Sequence, residues 1–105
     1  MGMTRVVKFT AAAPEWPAVR DRLIAAGAAV QMRMIDDMPA FPDEDPEPGW
    51  REIRMSLGGG MLTLRREDHA FSVVVWGNAD AALQADQERL VKACAEAGAG
   101  TEQSG

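Results

Sequence analysis

The sequence predicts one α+β domain: a mainly antiparallel five-stranded sheet with two helices on one face. Three observations predict it. The chain has 105 residues, enough for one hydrophobic core. Five short segments show the alternation or β-branched content of strands, and two longer segments each carry a single apolar stripe typical of a surface helix. We place the domain at residues 3–98 and expect residues 99–105 to form a flexible tail.

The first strand and the first helix open the chain. Residues 5–10 are β-branched and aromatic, which favours a strand. Two prolines follow, and because proline is tolerated only in the first helical turn, we expect the helix to begin between Pro14 and Pro17 and to end at Gly27. The apolar stripe predicted for this helix consists of Val19, Leu23 and Ile24.

A second strand and an acidic loop come next. Residues 30–38 alternate, which predicts that Val30, Met32 and Met34 share one face. Residues 36–49 contain four prolines and should form a stiff surface loop. The net charge of −5 is concentrated there, because six acidic residues follow one another without a basic residue between them. They are Asp36, Asp37, Asp43, Glu44, Asp45 and Glu47.

A hairpin is predicted around the glycine triplet 58–60. A two-residue turn at its last two glycines would place Leu57 opposite Leu62 and Met55 opposite Leu64, so that the apolar sets of both arms coincide. A loop one residue longer would set leucines against polar residues, and we therefore reject it.

The same pairing predicts which side chains lie opposite each other on the outer face of the hairpin. Arg54 would lie opposite Arg65, and Glu52 opposite Glu67, with each arginine diagonal to a glutamate. The two arginines are therefore candidates for holding an anionic group.

The last strand and the last helix complete the fold. In residues 71–76 the odd-numbered positions should face the core, which leaves Val74 and Trp76 on the outer side near Met61. Asn78 is the predicted N-cap of the last helix, which ends at Gly98. Its predicted stripe consists of Leu83, Leu90, Val91, Cys94 and Ala97.

The sequence contains no residue set typical of an enzyme. His69 is the only histidine and Cys94 the only cysteine, and they lie on separate predicted elements, so neither a metal site nor a nucleophile–base pair is indicated. The glycine triplet joins two strands, whereas a phosphate-binding loop opens a helix. We predict no cofactor and no catalytic residue, and a non-enzymatic function is favoured.

The leading functional hypothesis is a protein-interaction module such as a small bacterial regulator, an immunity protein or an inhibitor. An uncovered apolar patch containing a tryptophan is typical of a partner surface, and the acidic loop would supply complementary charge. Cation binding by the loop stays open. The predicted partner-binding residues are Trp76, Met61, Val74, Asp43, Glu44, Asp45 and Glu47.

An alternative is a protein, or a small enzyme, that binds an anionic small molecule between helices and sheet or at a dimer junction. Arg54 and Arg65 would hold the anion, with His69 as the proton carrier. A homodimer is a further alternative. Nucleic-acid binding is disfavoured, because Glu52 and Glu67 interrupt the basic surface that a nucleic acid would need. The absence of long apolar runs or a leader, together with the single cysteine, predicts a cytoplasmic protein that does not enter a membrane.

Overall fold

The part of the protein that the structure describes forms a seven-stranded antiparallel sheet and two helices. The computed structural model describes residues 3–77 and 80–103. In chain order the elements are β1 (Met3–Lys8), α1 (Trp16–Ala25), β2 (Gln31–Ile35), β3 (Met38–Pro39), β4 (Glu52–Ser56), β5 (Met61–Glu67), β6 (Ala70–Val75), α2 (Ala81–Gly98) and β7 (Thr101–Gln103). The strand order is β3-β2-β4-β5-β6-β1-β7. The prediction of one antiparallel sheet with two helices is confirmed, but the number of strands is seven rather than five.

The two additional strands lie at the edges of the sheet. Asp36 and Asp37 adopt left-handed φ angles of 47° and 67°, forming a tight turn that pairs Ile35 with Met38. The predicted loop 36–49 thus contains strand β3. At the other edge, residues 101–103 of the predicted tail pair with β1. Edge strands of two and three residues are too short for a periodic sequence signal, so neither was predicted.

The hydrophobic core lies between both helices and one face of the sheet. Buried residues of α1, of α2 and of the inward-facing strand positions form one cluster. Its largest fully buried members include Trp16, Leu23, Phe71, Ile53, Met55, Leu62, Leu64 and Leu90. Within the described ranges, no helix is long and apolar enough to cross a membrane.

Helix α1 begins where the prolines predict, but its buried face differs from the predicted stripe. Trp16, Val19 and Leu23 are buried, and their spacing of three and four residues places them on one side of the helix. Ile24 is 56% exposed. Because Ile24 is rotated about 100° from Leu23, it points away from the core, and its assignment to the stripe is wrong.

A β-bulge in β2 changes which residues face the core. Met32 pairs with Met55, but the next registered pair is Met34 with Arg54, so one residue is extra on β2. The bulge reverses the alternation: Met32 is buried, and Ile35 rather than Met34 packs against the core. The prediction that Met34 shares the face of Met32 is therefore wrong.

The β4–β5 hairpin has the predicted faces but not the predicted register. Met55 lies opposite Leu62 and Ile53 opposite Leu64, two residues from the expected pairing, so the connection spans residues 57–60. A shift of two residues leaves every side chain on its predicted face. It also places Glu52 opposite Arg65, so an attractive pair replaces the predicted like-charge pairs.

Helix α2 is capped two residues later than expected and carries buried polar groups. The carboxylate of Asp80 accepts the N–H of Leu83 at 2.9 Å and is the N-cap; Asn78 lies outside the described residues. Gln87 is almost fully buried and donates to the carbonyl of Val73 at 3.1 Å. Asp86, also buried, accepts the N–H of Gly59 at 2.7 Å, which joins the helix to the hairpin connection.

Candidate functional site

Trp76 lies on the outer face of the sheet, opposite the helices. It has the same parity as Val74, which is buried but does not belong to the core cluster. Its indole N–H donates to the Thr63 hydroxyl at 3.2 Å, and Thr63 lies directly opposite Val74 in the β5–β6 ladder. The indole therefore lies across this pair and helps to exclude water from it, while Trp76 itself stays 55% exposed.

One charged side chain lies beside Trp76 and is linked to two more. The Arg65 guanidinium is 5.5 Å from the centre of the indole ring, and its Nε donates to the Glu52 carboxylate at 2.7 Å. Arg54 lies 3.8 Å from the other oxygen of the same carboxylate. Arg54 and Arg65 therefore share one glutamate, but the predicted pairing of the two arginines is wrong, because Arg54 lies opposite Thr63.

The apolar part of this surface is smaller than predicted. Met61 is 44% exposed and shares the outer face, but Val74 is 3% exposed. Val74 occupies an inner strand of the sheet with neighbouring strands on both sides, and it lies opposite Thr63, to which the Trp76 indole is hydrogen-bonded. We define the outer-face patch as Trp76, Met61, Arg54 and Arg65, and Val74 supports it from below.

Two of the predicted partner-binding carboxylates hold the acidic loop in place. Asp45 forms a close ion pair with Arg20 of α1, and this hydrogen bond raises the pKa of Arg20. Glu44 accepts the N–H of Phe41 at 3.1 Å. Asp43 and Glu47 are exposed and have no ion pair or hydrogen bond from their side chains within the described residues.

The structure separates the acidic loop from Trp76. The loop is tied to α1, in the helix layer, and follows β3 at one edge of the sheet. Three strand spacings, about 14 Å, separate β2 from β6. The predicted interaction residues therefore lie on two distinct surfaces.

His69 borders a cleft at the turn between β5 and β6. Its Nδ1 is 2.8 Å from the carbonyl of Ala11, which fixes this nitrogen as the donor. The cleft has a volume of about 430 Å³ and is also lined by Trp50, Arg51 and Asp68. Asp68 precedes His69 in the sequence, but the proximity of Trp50 and Arg51 to this pair was not predicted, because it depends on contact between segments distant in the chain.

Trp50 and Arg66 connect the walls of this cleft. Trp50 stacks on Phe71 with ring centres 5.9 Å apart, and the Arg66 guanidinium lies 5.7 Å from its ring. Arg66 also donates to the carbonyl of Ala13 at 3.0 Å and pairs with Glu15. Its charge is therefore compensated inside the fold. The indole N–H of Trp50 is buried and has no hydrogen-bond partner among the described residues.

The residues that most often carry enzyme chemistry are dispersed. Cys94 is fully buried, and burial raises the pKa of its thiol, so the reactive thiolate is disfavoured. Across residues 3–77 and 80–103 no group of three or more histidine, cysteine, aspartate or glutamate side chains has the arrangement of a metal site.

Comparison of the chain with protein-family models, curated proteins and solved structures finds no match in any of the three. The function must therefore be argued from the surfaces described above.

Proposed function

We propose that this protein is a non-enzymatic interaction module that binds a protein partner through the outer-face patch. The observation that carries the proposal is a tryptophan, 55% exposed, on the sheet face opposite the helices. Large exposed aromatic side chains on an open face are frequent anchors of protein interfaces.

The anchor is preorganised. A hydrogen bond to Thr63 and the guanidinium of Arg65 both restrain the Trp76 indole in the unbound protein. A side chain that is already ordered loses less conformational entropy on binding, so more of its contact energy contributes to affinity.

The acidic loop would have a secondary role in this proposal. Asp43 and Glu47 have no internal partner within the described residues and can attract a basic region of the partner. Since the loop lies away from Trp76, it would increase the rate of encounter more than the strength of the final complex.

The test compares Trp76→Ala with Ile24→Ala, a matched control that removes an equally exposed apolar side chain from α1. The tagged protein captures partners from an extract of the source cells, and the affinity of each purified partner is measured by calorimetry. We expect Trp76→Ala to weaken binding by at least about tenfold and Ile24→Ala to leave it unchanged. Equal affinities for both variants would reject the outer-face patch as the docking surface.

A homodimer is a special case of the same proposal. Light scattering of the purified protein would then show a dimer that Trp76→Ala converts to a monomer, while Ile24→Ala leaves it intact. A dimer that persists in both variants would place the self-interface elsewhere.

The alternative function, binding of an anionic small molecule at Arg54 and Arg65, is supported by one observation. The two guanidinium groups share the single carboxylate of Glu52, so one positive charge remains uncompensated. Arg54→Gln should abolish any binding of phosphate or citrate measured by calorimetry, with Arg33→Gln, on the edge side of the sheet, as the control. Unchanged binding in Arg54→Gln would exclude this site.

A further inference from the structure

A cleft at the β5–β6 turn is spatially independent of the outer-face patch. Two adjoining hollows of about 430 and 450 Å³ share four lining residues. These are Arg51, Glu67, Asp68 and His69. Met61 and Trp76 lie at the opposite end of the same hairpin, and the seven residues of β5 span about 20 Å. A ligand in the cleft would therefore not contact the outer-face patch.

One group of side chains in the cleft offers hydrogen-bond donors that the fold does not use. The Arg51 guanidinium is exposed and has neither an ion pair nor a hydrogen bond within the described residues. The adjacent indole N–H of Trp50 is the buried side-chain polar group that lacks a partner there. Because this N–H is buried, the donors that a ligand in the cleft can reach are those of Arg51, while the Trp50 indole, which also lines the cleft, can report on binding.

A second group offers acceptors. The carboxylates of Glu67 and Asp68 are exposed and have no ion pair or hydrogen bond within the described residues. The Nδ1 of His69 donates to the Ala11 carbonyl, so Nε2 of the neutral ring is left as an acceptor. The backbone N–H of Ala13 binds the Asp68 carbonyl at 2.9 Å and so restrains this wall.

The charges that line the cleft indicate which class of ligand can bind there. A simple anion would be attracted by Arg51, and by Lys8 in the adjoining hollow, but repelled by Glu67 and Asp68, and a simple cation would meet the reverse pattern. A molecule with a carboxylate and an ammonium group can satisfy both walls at once. We propose that the cleft binds a small zwitterion of the amino-acid type, with its carboxylate at Arg51 and its ammonium group at Asp68 and Glu67.

The experiment is a ¹H–¹⁵N NMR titration of the full chain with the common amino acids, each added separately at millimolar concentration. The indole N–H signal of Trp50 is assigned by its loss in Trp50→Phe, and the indole signals of Trp16 and Trp76 serve as internal controls. We expect at least one amino acid to shift the Trp50 indole signal and the amide signals of Arg51 and Asp68. If no amino acid moves these signals, the proposal is wrong.

Blocked forms of the best-binding amino acid then test the zwitterion. The N-acetyl form lacks the positive charge and the amide form lacks the negative one, and each should bind at least about tenfold more weakly. A blocked form that binds as tightly as the free amino acid would overturn the assignment of two charged walls.

Two variants locate the ligand. Arg51→Gln and Asp68→Asn each remove a charge at an exposed position and should abolish the titration, whereas Arg33→Gln and Glu96→Gln, outside the cleft, should not alter it. Folding is checked from the remaining amide signals of each variant. Retention of binding in both cleft variants would reject the site. Failure here would leave the interaction through Trp76 unaffected, because the two tests use different residues and readouts.

Discussion

At the residue scale, a few side chains have roles that depend on a neighbour far away in the sequence. Gly59 is an example, since its N–H is held by Asp86 of α2, 27 residues later. The glycine triplet predicts a turn, as observed, but not the helix that packs against it. The outward position of Trp76 followed from strand alternation, whereas the burial of Val74 beside it required knowing where the indole folds back.

Substitution of Gly59 by alanine should destabilise the protein. A Cβ atom at this position would lie 2.6 Å from an oxygen of Asp86 and 3.0 Å from the carbonyl carbon and oxygen of Ala82. We expect a loss of about 1–3 kcal/mol in the free energy of unfolding, measured by urea denaturation.

A double-mutant cycle checks the cause. If the clash with Asp86 dominates, Gly59→Ala and Asp86→Ala together should destabilise less than the sum of the single changes. Strict additivity would show that the backbone of Ala82, and not the carboxylate, is the obstacle.

At the element scale, the sequence predicts where most elements lie but not how they pair. Prolines and a glycine delimit α1, because their backbone restrictions act locally. The bulge in β2 and the two-residue shift of the β4–β5 hairpin arise from contacts between strands. Neither can be read from one strand alone, because a shift of two preserves the apolar pattern.

The buried face of α1 can be tested with two substitutions. Trp16 is 1% exposed, so Trp16→Ala should cost about 3–5 kcal/mol in the free energy of unfolding, whereas Ile24→Ala should cost less than about 0.5 kcal/mol. Chemical denaturation of both variants provides the measurement. Comparable losses for the two would support the stripe predicted from the sequence instead.

The attachment of β7 should depend on pH. Arg5 donates two hydrogen bonds of 2.6 Å to the Glu102 carboxylate, which lowers the pKa of this glutamate. Because the folded-state pKa lies below the unfolded value, the contribution is complete above the ordinary glutamate range and is lost as the pH falls through the folded-state pKa. The protection of the amides of residues 101–103 against exchange, measured relative to the intrinsic exchange rate at each pH, should therefore fall below about pH 4.

Glu102→Gln provides the matched variant for this pH effect. In this variant the protection of residues 101–103 relative to the intrinsic rate should already be low at neutral pH and should change little on acidification. Glu96→Gln, an exposed substitution on α2, should behave like the unmodified protein. If this protection does not change with pH in the unmodified protein, the ion pair does not hold β7.

At the scale of the whole molecule, the sheet has two different faces, and only one of them packs against the core. The helices cover the inner face, and the outer face carries the patch around Trp76, while the cleft at the β5–β6 turn and the acidic loop occupy other parts of the surface. Since a single buried cluster includes residues from both helices and from the sheet, the protein should unfold as one unit.

Unfolding should accordingly give coincident transitions by far-ultraviolet circular dichroism and by tryptophan fluorescence. Trp16 and Trp50 report on the core, and circular dichroism reports on helices and sheet. Separate transitions would mean that one helix or part of the sheet unfolds independently of this core.

The sequence by itself determined the class of the fold, the approximate positions of its main elements and the side on which most strand residues lie, because propensity, alternation and proline effects act over a few residues. Only the tertiary structure decided the register of the hairpin, the two edge strands, the separation of the acidic loop from Trp76 and the convergence of Trp50, Arg51, Asp68 and His69. These features depend on pairing between segments distant in the chain, and the energy of such pairing is not encoded in any one segment.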